Sequence, residues 1–322
     1  MKAIVLGANG FLGSSLVNKL LSHNVPVIGI ARKELKNLEI LSNPLYCHIL
    51  SDASDLMDLL NDSRLINFVS SEQNDSLKPC ETISSSTPNI VFYNTIWRGV
   101  DRLRDGTIRE QFKNVALTVN AVKFASKLNC FKFIHVSTQE EAFYQNYLDN
   151  WNREDRVFPS SALPYAAAKL VAKEMATIEA YIDKINFINT RFSVVLDSNL
   201  NSPSFIAQNL LKIKRGECYD KPLNKSLMEL IHLSDLSEAY YYIGLHGKNK
   251  ADYYIGQCCL NTIDNFFRMA SEIKNKGEFS LHDYENPVDN STYKIYNNSS
   301  FINDTNFTFQ YNIKSILEDV MR

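Results

Sequence analysis

The sequence LPYAAAKL at residues 163–170 places a tyrosine and a lysine four residues apart among alanines. Proline is favoured in the first turn of a helix and alanine has the highest helix propensity, so a helix is predicted to start here. Residues i and i+4 share one face of a helix, and Tyr165 and Lys169 can therefore converge on one point. An ammonium favours the phenolate form of a neighbouring phenol, which suits acid–base catalysis. Tyr and Lys are also common on ordinary helix surfaces.

A glycine-rich turn lies at the amino terminus, where GANGFLG (7–13) follows a short apolar strand and opens a helix. Strand, turn, helix and second strand fit within about 30 residues, the length of a βαβ unit. Glycines let the backbone approach a pyrophosphate, and the helix amino terminus attracts the anion. We therefore predict a dinucleotide site; a tight structural turn is the alternative. The predicted contacts are Gly7, Asn9, Gly10, Phe11, Leu12 and Gly13.

The end of the second strand, VIGIARK, bears on which dinucleotide is bound. An NAD site usually has an acidic residue there for the ribose 2′-hydroxyl, whereas this chain has Arg32 and Lys33. Cations suit a 2′-phosphate, so NADP(H) is favoured over NAD(H). Asp52 and Ala53, which follow the next apolar run, are placed to meet the adenine.

Alternating apolar strands and amphipathic helices predict the α/β class, with a Rossmann-type doubly wound parallel sheet and a smaller C-terminal substrate-binding lobe. We expect the NADP-binding domain to span residues 1–196, with 229–256 returning to it. Residues 197–228 and 257–322 would then form the substrate lobe. The polar segment 69–89 is interpreted as a surface loop or an insertion.

Composition excludes several other classes of function. The chain has 322 residues, 45% of them hydrophobic, and its net charge of −2 gives no footprint for nucleic acid or an anionic membrane. Without a secretory leader or a long apolar run, a cytoplasmic location is expected. Six scattered cysteines without a CxxC pair favour reduced, buried thiols over disulfides or a metal site.

With GANGFLG, HVSTQEE and PYAAAK in this order, the chain resembles the extended short-chain dehydrogenase/reductase family of nucleotide-sugar epimerases, dehydratases and ketoreductases. Within that family it is most similar to 4-ketosugar reductases of the CDP-abequose-synthase type. The narrower resemblance depends on the segment 97–99 (WRG), on Asn114 and on the segment 138–141 (TQEE).

The resemblance implies roles for individual residues. Tyr165 would be the general acid and base at the sugar oxygen, Lys169 would hold the nicotinamide ribose, and Thr138 would hydrogen-bond the same sugar oxygen. Asn114 would lie on the cofactor side. Gln139, Ser193 and Trp97 would meet the substrate, although a core position is open for the tryptophan.

Three departures from the family pattern concern the substrate side. A Tyr-Gly pair after the catalytic strand is displaced to 143–145 (FYQ), and the usual loop after the sixth strand is 193–197 (SVVLD). An arginine that commonly meets a nucleotide phosphate is missing before 231–235 (IHLSD). Nearby cations could replace it, or could form a solvated face: Lys212, Lys214, Arg215, Lys221 and Lys225.

The sequence leaves several activities open. We favour an NADPH-dependent reductase of a nucleotide-diphosphate 4-keto-6-deoxysugar, in deoxysugar or surface-polysaccharide biosynthesis. A 4,6-dehydratase would need a further base, for which Glu140 or Glu141 is available, and an acid, which Gln139 cannot be. An epimerase with tightly bound NAD(P) and an NADP sensor without turnover also fit these residues. The resemblance further implies a homodimer, formed through the Asn114 and Tyr165 helices.

Overall fold

Seven parallel strands form the central sheet, in the order β10-β6-β5-β4-β1-β2-β3. The computed structural model describes residues 1–71, 89–99, 107–149, 163–222, 227–275 and 294–322. The strands of the sheet are β1 (Lys2–Leu6), β2 (Val27–Ala31), β3 (Tyr46–Leu50), β4 (Ile90–Asn94), β5 (Lys132–Val136), β6 (Asn186–Arg191) and β10 (Asp252–Tyr254). Four short strands pair outside it: β7 (Val194–Leu196) with β9 (Leu230–His232), and β8 (Leu227–Met228) with β11 (Asn261–Thr262).

Helices cover both faces of this sheet, which explains why β1, β2, β4 and β5 are buried at every position. The helices are α1 (Phe11–Ser22), α2 (Leu38–Leu41), α3 (Ser63–Ser70), α4 (Ile108–Lys127), α5 (Gln139–Asp149), α6 (Leu163–Ile182), α7 (Phe205–Arg215), α8 (Leu233–His246), α9 (Ile263–Lys274), α10 (Ser299–Thr305) and α11 (Ile313–Met321), with a 3₁₀ turn at Leu56–Asn61. One face packs against α1 and α8, and the other against α4 and α6. The α/β class with a doubly wound parallel sheet and smaller C-terminal elements is confirmed.

A third hydrophobic cluster joins the C-terminal elements to one another. It contains buried side chains of α7, α9 and α11, among them Leu210, Phe267 and Leu317. The chain leaves this cluster at α10 and returns to it at α11. In between, Phe301 of α10 and Phe307 pack into the core between the sheet and α8. The C-terminal segment therefore ties the small cluster to the sheet.

Some details differ from the sequence-based expectations. The interpretation of 69–89 as a loop is wrong for Val69 and Ser70, which end α3; residues 72–88 lie outside the described ranges. The thiols of Cys218 and Cys259 are exposed, so burial is wrong for these two, and Cys80 is not among the described residues. Within the described ranges, no helix is long and apolar enough to cross a membrane.

Candidate active site

The glycine turn between β1 and α1 is shaped by close backbone approaches. Gly7 has φ of 93°, and a Cβ on Gly13 would lie 2.1 Å from the Gly7 carbonyl oxygen, so neither position accepts a side chain without distortion. Gly10 and Asn9 are exposed at the turn. No side chain caps α1 and its first turn has no acidic residue, so its amides and positive dipole end suit an anion. The turn therefore fits the pyrophosphate of a dinucleotide, with Phe11 and Leu12 half-buried beside it.

The end of β2 joins this turn to the predicted adenosine side. The Asn9 amide donates to the Lys33 carbonyl over 3.1 Å, which fixes the turn against the strand end. Arg32 is exposed, and its Nε lies 4.0 Å from an oxygen of Asp52. The same carboxylate forms an ion pair with Arg98 and accepts hydrogen bonds from Ser54, and these contacts lower its pKa despite partial burial. Asp52 thus faces two arginines. Ala53, the residue after Asp52, is buried.

Tyr165 and Lys169 are both buried on the first two turns of α6, as the spacing predicts. The Lys169 Nζ donates to the carbonyl oxygen of Val136 over 3.0 Å. It also lies 4.0 Å from the centre of the Trp97 ring, which meets the Tyr165 ring edge-on at a centroid distance of 5.8 Å. Trp97 is held in turn by a 2.9 Å hydrogen bond from its Nε1 to Gln111. The indole therefore positions both members of the pair.

The Asn114 side chain is engaged by the loop after β4. Its side chain is buried and binds the backbone of Arg98, accepting from the amide over 2.7 Å and donating to the carbonyl over 3.1 Å. It thereby fixes the loop that carries Trp97. Its effect on a cofactor would pass through that loop.

Residues after β5 line a wall between the sheet and the C-terminal segment. Thr138 is half-buried, and Gln139 is buried with its amide donating to the Ile295 carbonyl over 2.8 Å. The Ser193 hydroxyl, between β6 and β7, hydrogen-bonds Tyr296 of the same C-terminal segment and accepts from the Glu229 amide over 3.2 Å. The side chain of Gln139 is therefore engaged by protein. Thr138 lies at the carboxyl end of the strand, two residues after the carbonyl that holds Lys169.

The two adjacent glutamates on α5 occupy different surroundings. Glu140 is half-buried and lies close enough to Tyr296 to affect its titration, whereas Glu141 is buried below the surface. Glu141 accepts from Ser137 and, over 2.6 Å, from the Asn189 amide. Burial, reinforced by the charge of Asp252, raises its pKa to about 7.

These features place a dinucleotide turn and a Tyr–Lys pair along the carboxyl edge of one parallel sheet, where ligands bind in open α/β folds. A model of the NAD dependent epimerase/dehydratase family matches residues 3–256. The chain belongs to this family. A nicotinamide dinucleotide is the cofactor that the family description implies, and the glycine turn described above fits its pyrophosphate.

Solved structures share the fold along nearly the whole chain of this family member. UDP-glucose 4-epimerase from Thermotoga maritima, solved with UDP-glucose, has a TM-score of 0.71 at 16% identity, covering 100% of this chain and 97% of its own. A variant of UDP-glucuronic acid 4-epimerase from Bacillus cereus, solved with a UDP-sugar analogue and NAD, gives 0.70 at 17%, covering 100% and 98%. A dTDP-glucose 4,6-dehydratase from Streptomyces venezuelae, solved with NAD, gives 0.69 at 16%, covering 100% and 96%. Among curated proteins, no sequence matches the chain significantly.

Sequence reasoning missed a buried glutamate next to the absent family arginine. Glu229 accepts hydrogen bonds from the Tyr254 hydroxyl and from the amides of Gln257 and Cys259, and burial raises its pKa. A Cβ at Gly256 would meet this carboxylate at 2.2 Å. Glu229 thus orders the turn after β10, and its position in the largely apolar segment LMELIHL was the available signal.

Four of the five cations that could replace the missing arginine lie within the described residues. Lys212 forms a 2.8 Å ion pair with Asp220 at the end of α7, while Lys225 lies outside the described residues. Lys214 and Arg215 share the last turn of α7, where cations stabilise the helix dipole. Lys221 follows in the loop beyond.

Proposed function

We propose that this family member reduces the 4-keto group of a nucleotide-linked 4-keto-6-deoxysugar with NADPH, as a step in deoxysugar or surface-polysaccharide biosynthesis. The observation that carries the proposal is the buried Tyr165–Lys169 pair, held by Trp97 at the same sheet edge as the phosphate turn. A general acid fixed beside a cation is what protonation of a carbonyl oxygen requires.

Each residue has a defined task in this reaction. Tyr165 would donate its proton to the ketone oxygen, and Thr138 would hydrogen-bond that oxygen and orient the sugar. Lys169 would stabilise the resulting phenolate and bind the ribose of the cofactor. The bound dinucleotide would supply the hydride. Ser193 and Trp97, both half-buried, would meet the substrate, whereas the buried Gln139 would shape the wall behind it.

The preference for NADP(H) is part of the proposal. Asp52 forms an ion pair with Arg98 and lies 4.0 Å from the exposed Arg32. One carboxylate therefore faces two guanidinium groups, and a net positive charge remains. With the adjacent exposed Lys33, the end of β2 carries positive charge where a ribose 2′-phosphate would lie. A cell keeps NADP mainly reduced, and this favours net reduction.

A 4-epimerase or a 4,6-dehydratase is the second candidate. The solved structures with the same fold include both kinds of enzyme, two of them with NAD. The half-buried Glu140, next to Thr138, would be the base for a dehydratase. Such enzymes return the hydride within one catalytic cycle and would not consume NADPH.

The test is a fluorescence titration of the apoprotein with NADPH and NADH, followed by CDP-, dTDP-, GDP- and UDP-4-keto-6-deoxysugars added to the NADPH complex. Stoichiometric loss of NADPH with one sugar supports the reductase and identifies its nucleotide. Tight cofactor binding without consumption contradicts it. Incubation with the unreduced nucleotide sugars would then separate epimerase, dehydratase and an NADP sensor without turnover.

A further inference from the structure

A row of polar side chains crosses four neighbouring strands beneath α6. Asn94 on β4 is in register with His135 on β5, which is in register with Asn189 on β6 and then with Asp252 on β10. Residues in register on parallel strands point to the same face. The adjacent row on that face is apolar, with Phe92, Phe133 and Phe187 stacked at centroid distances of 5.3 and 5.9 Å. The polar row is therefore an exception within a buried sheet.

The hydrogen bonds along this row leave a gap in its middle. At one end, the Asn94 amide approaches His135 Nδ1 at 3.4 Å; at the other, the Asn189 amide donates to Glu141 over 2.6 Å and to Asp252 over 3.1 Å. Among the described residues, three buried atoms of the row have no hydrogen-bond partner: Asn94 Oδ1, His135 Nε2 and Asn189 Oδ1. Buried polar atoms of this kind are normally satisfied by protein or by ordered water.

The atoms on the two sides of the gap are complementary. When His135 Nδ1 accepts from Asn94, the neutral imidazole carries its proton on Nε2 and is a donor there. Asn189 Oδ1, on the neighbouring strand, is an acceptor. Strands lie about 4.8 Å apart, a spacing that one bridging water spans with two hydrogen bonds. Both side chains are almost completely buried, so bulk solvent does not serve them.

Groups that can carry protons lie near both His135 and Asn189. The ammonium groups of Lys169 and Lys173 lie near enough to His135 to reinforce burial in holding its pKa well below the usual value. Glu141, which contacts Asn189, also faces Ser137 and Arg191 and lies near Asp252 and the same Lys173.

Beyond Glu141 lies a cavity of about 570 Å³, lined by one face of α5, by Lys173 and by the β6–β10 edge. It gives the buried carboxyl access toward the surface on the side away from the glycine turn. His135 thus lies one residue before the carbonyl that holds Lys169, and Asn189 contacts Glu141, which lines this cavity.

We propose that His135 and Asn189 hold a buried water beneath Lys169, and that this water passes protons from Glu141 to Lys169 between turnovers. The inference depends on the proposed reductase, because only net reduction consumes a proton in every cycle. His135 and Asn189 are positioning residues in this scheme. They do not touch the substrate.

The proton balance closes in five transfers. Tyr165 gives its proton to the ketone oxygen as the hydride forms the new C–H bond, and the phenolate takes a proton from the Lys169 ammonium. The neutral amine then takes a proton from the buried water, which is replenished by the Glu141 carboxylic acid. Glu141 is finally re-protonated from the cavity. One solvent proton is consumed for each ketone reduced, and no further oxidant or reductant is needed.

The first test separates the first turnover from later ones in the variants H135F and E141Q, with F187L as control for core disruption. We expect hydride transfer in a single turnover to stay within about twofold of wild type, because Tyr165 starts protonated. Steady-state turnover should fall about tenfold in both variants and stay near wild type in F187L. Equal losses in the single turnover, or no steady-state loss in H135F and E141Q, would overturn the relay.

The pH profile adds a readout that a structural role would not change. Because the pKa of Glu141 is raised to about 7, its proton-donating form is lost as the pH rises through 7, and wild-type steady-state turnover should fall there. In E141Q this decrease in turnover with rising pH should be absent. A decrease that persists unchanged in E141Q contradicts the assignment.

A crystal structure of the wild type at about 1.5 Å resolution tests for the buried water independently of any activity measurement. A water within hydrogen-bonding distance of both His135 Nε2 and Asn189 Oδ1 supports the site, and clear density without one overturns it. If no sugar consumes NADPH, the proposed reductase fails and the relay fails with it, while this structure still reports on the water site separately.

Discussion

Tyr165 is buried on α6, its ring meets the Trp97 ring edge-on, and the same indole lies 4.0 Å from the Lys169 ammonium. Replacing it with phenylalanine removes one oxygen and leaves this packing in place. We expect Y165F to lose turnover by about a hundredfold or more, because a positioned general acid contributes about 10² to 10⁴. NADPH binding, measured by fluorescence titration, should stay within about threefold. Unchanged turnover would support a sensor.

Trp97 offers a second test at the residue scale. Its edge-on contact with Tyr165 and its position over the Lys169 ammonium are each worth about 0.5–1.5 kcal/mol. W97A should therefore lower kcat about tenfold, whereas W97F, which keeps an aromatic ring, should stay within about threefold. A rise in KM together with the fall in kcat would fit the proposed contact of the indole with the sugar, whereas a rise in KM at constant kcat would contradict its role in positioning Tyr165 and Lys169.

The residue scale also shows the limit of sequence reasoning. The i,i+4 spacing was enough to place Tyr165 and Lys169 on one buried face of α6, because helix geometry is local. The spacing could not show that Trp97 covers them, since that contact joins the loop after β4 to α6. Likewise, nothing local distinguished Glu140 from Glu141, whose surroundings depend on β6 and β10.

At the scale of elements, the end of β2 carries the predicted choice of cofactor. R32Q removes a guanidinium from this strand end, and hydrogen bonds to charged groups are worth about 1.5–3 kcal/mol. We expect the Kd for NADPH to rise at least tenfold and that for NADH to stay within twofold. R64Q, at an exposed arginine that pairs with Asp62 beyond β3, is the control. Equal effects on both cofactors would contradict an NADP-specific role.

The buried carboxyl of α5 gives a prediction for stability against pH. The pKa of Glu141 in the folded protein is about 7, above its ordinary value of 4.5, so the fold binds this proton more tightly than the unfolded chain does. The free energy of unfolding should fall as the pH rises from about 4.5 to 7. In E141Q this fall should be reduced. Chemical denaturation at a series of pH values measures both, and parallel curves would contradict the assignment.

The strands were more predictable than their ends. Runs such as IVFYN and KFIHV are apolar because both faces are covered, and they became β4 and β5. The segment INFINTRFSVVL divides into β6 and β7, and β7 leaves the sheet to pair with β9. This division is tertiary, since the backbone partner of β7 lies more than 30 residues away. Asn189 and His135 were visible within apolar runs, but only the register aligns them.

For the molecule as a whole, we propose that residues 197–228 and 257–322 act as the substrate lobe over the domain of residues 1–196 and 229–256. The cluster of α7, α9 and α11 supports this division, whereas Phe301 and Phe307 fasten the C-terminal segment to the sheet. Substrate binding across such a junction would bring Ser193 and Thr138 toward the same ligand.

The outer surfaces of α4 and α6 support the proposed homodimer. Apolar side chains that a monomer would leave in water project from both helices: Ile108, Phe112, Met175, Ile178, Tyr181 and Ile182. The side chain of Ile178 is 52% exposed. The group from Met175 to Ile182 lies on the last turns of α6. Exposed apolar patches mark interaction sites, and closed twofold symmetry is the commonest way to bury them in a soluble homo-oligomer. Two helices from each subunit would then pack face to face.

The variant I178E tests this surface. L245E is the matched control, because Leu245 is a comparably exposed apolar residue on α8, on the other face of the sheet. We expect light scattering at micromolar concentration to give a dimer for wild type and L245E and a monomer for I178E, since a charge buried without a partner strongly disfavours association. A wild-type monomer, or an I178E dimer, would remove α4 and α6 as the interface. Tyr165 and Lys169 lie on the inner side of α6, so loss of NADPH binding in monomeric I178E would show that association also orders the cofactor site.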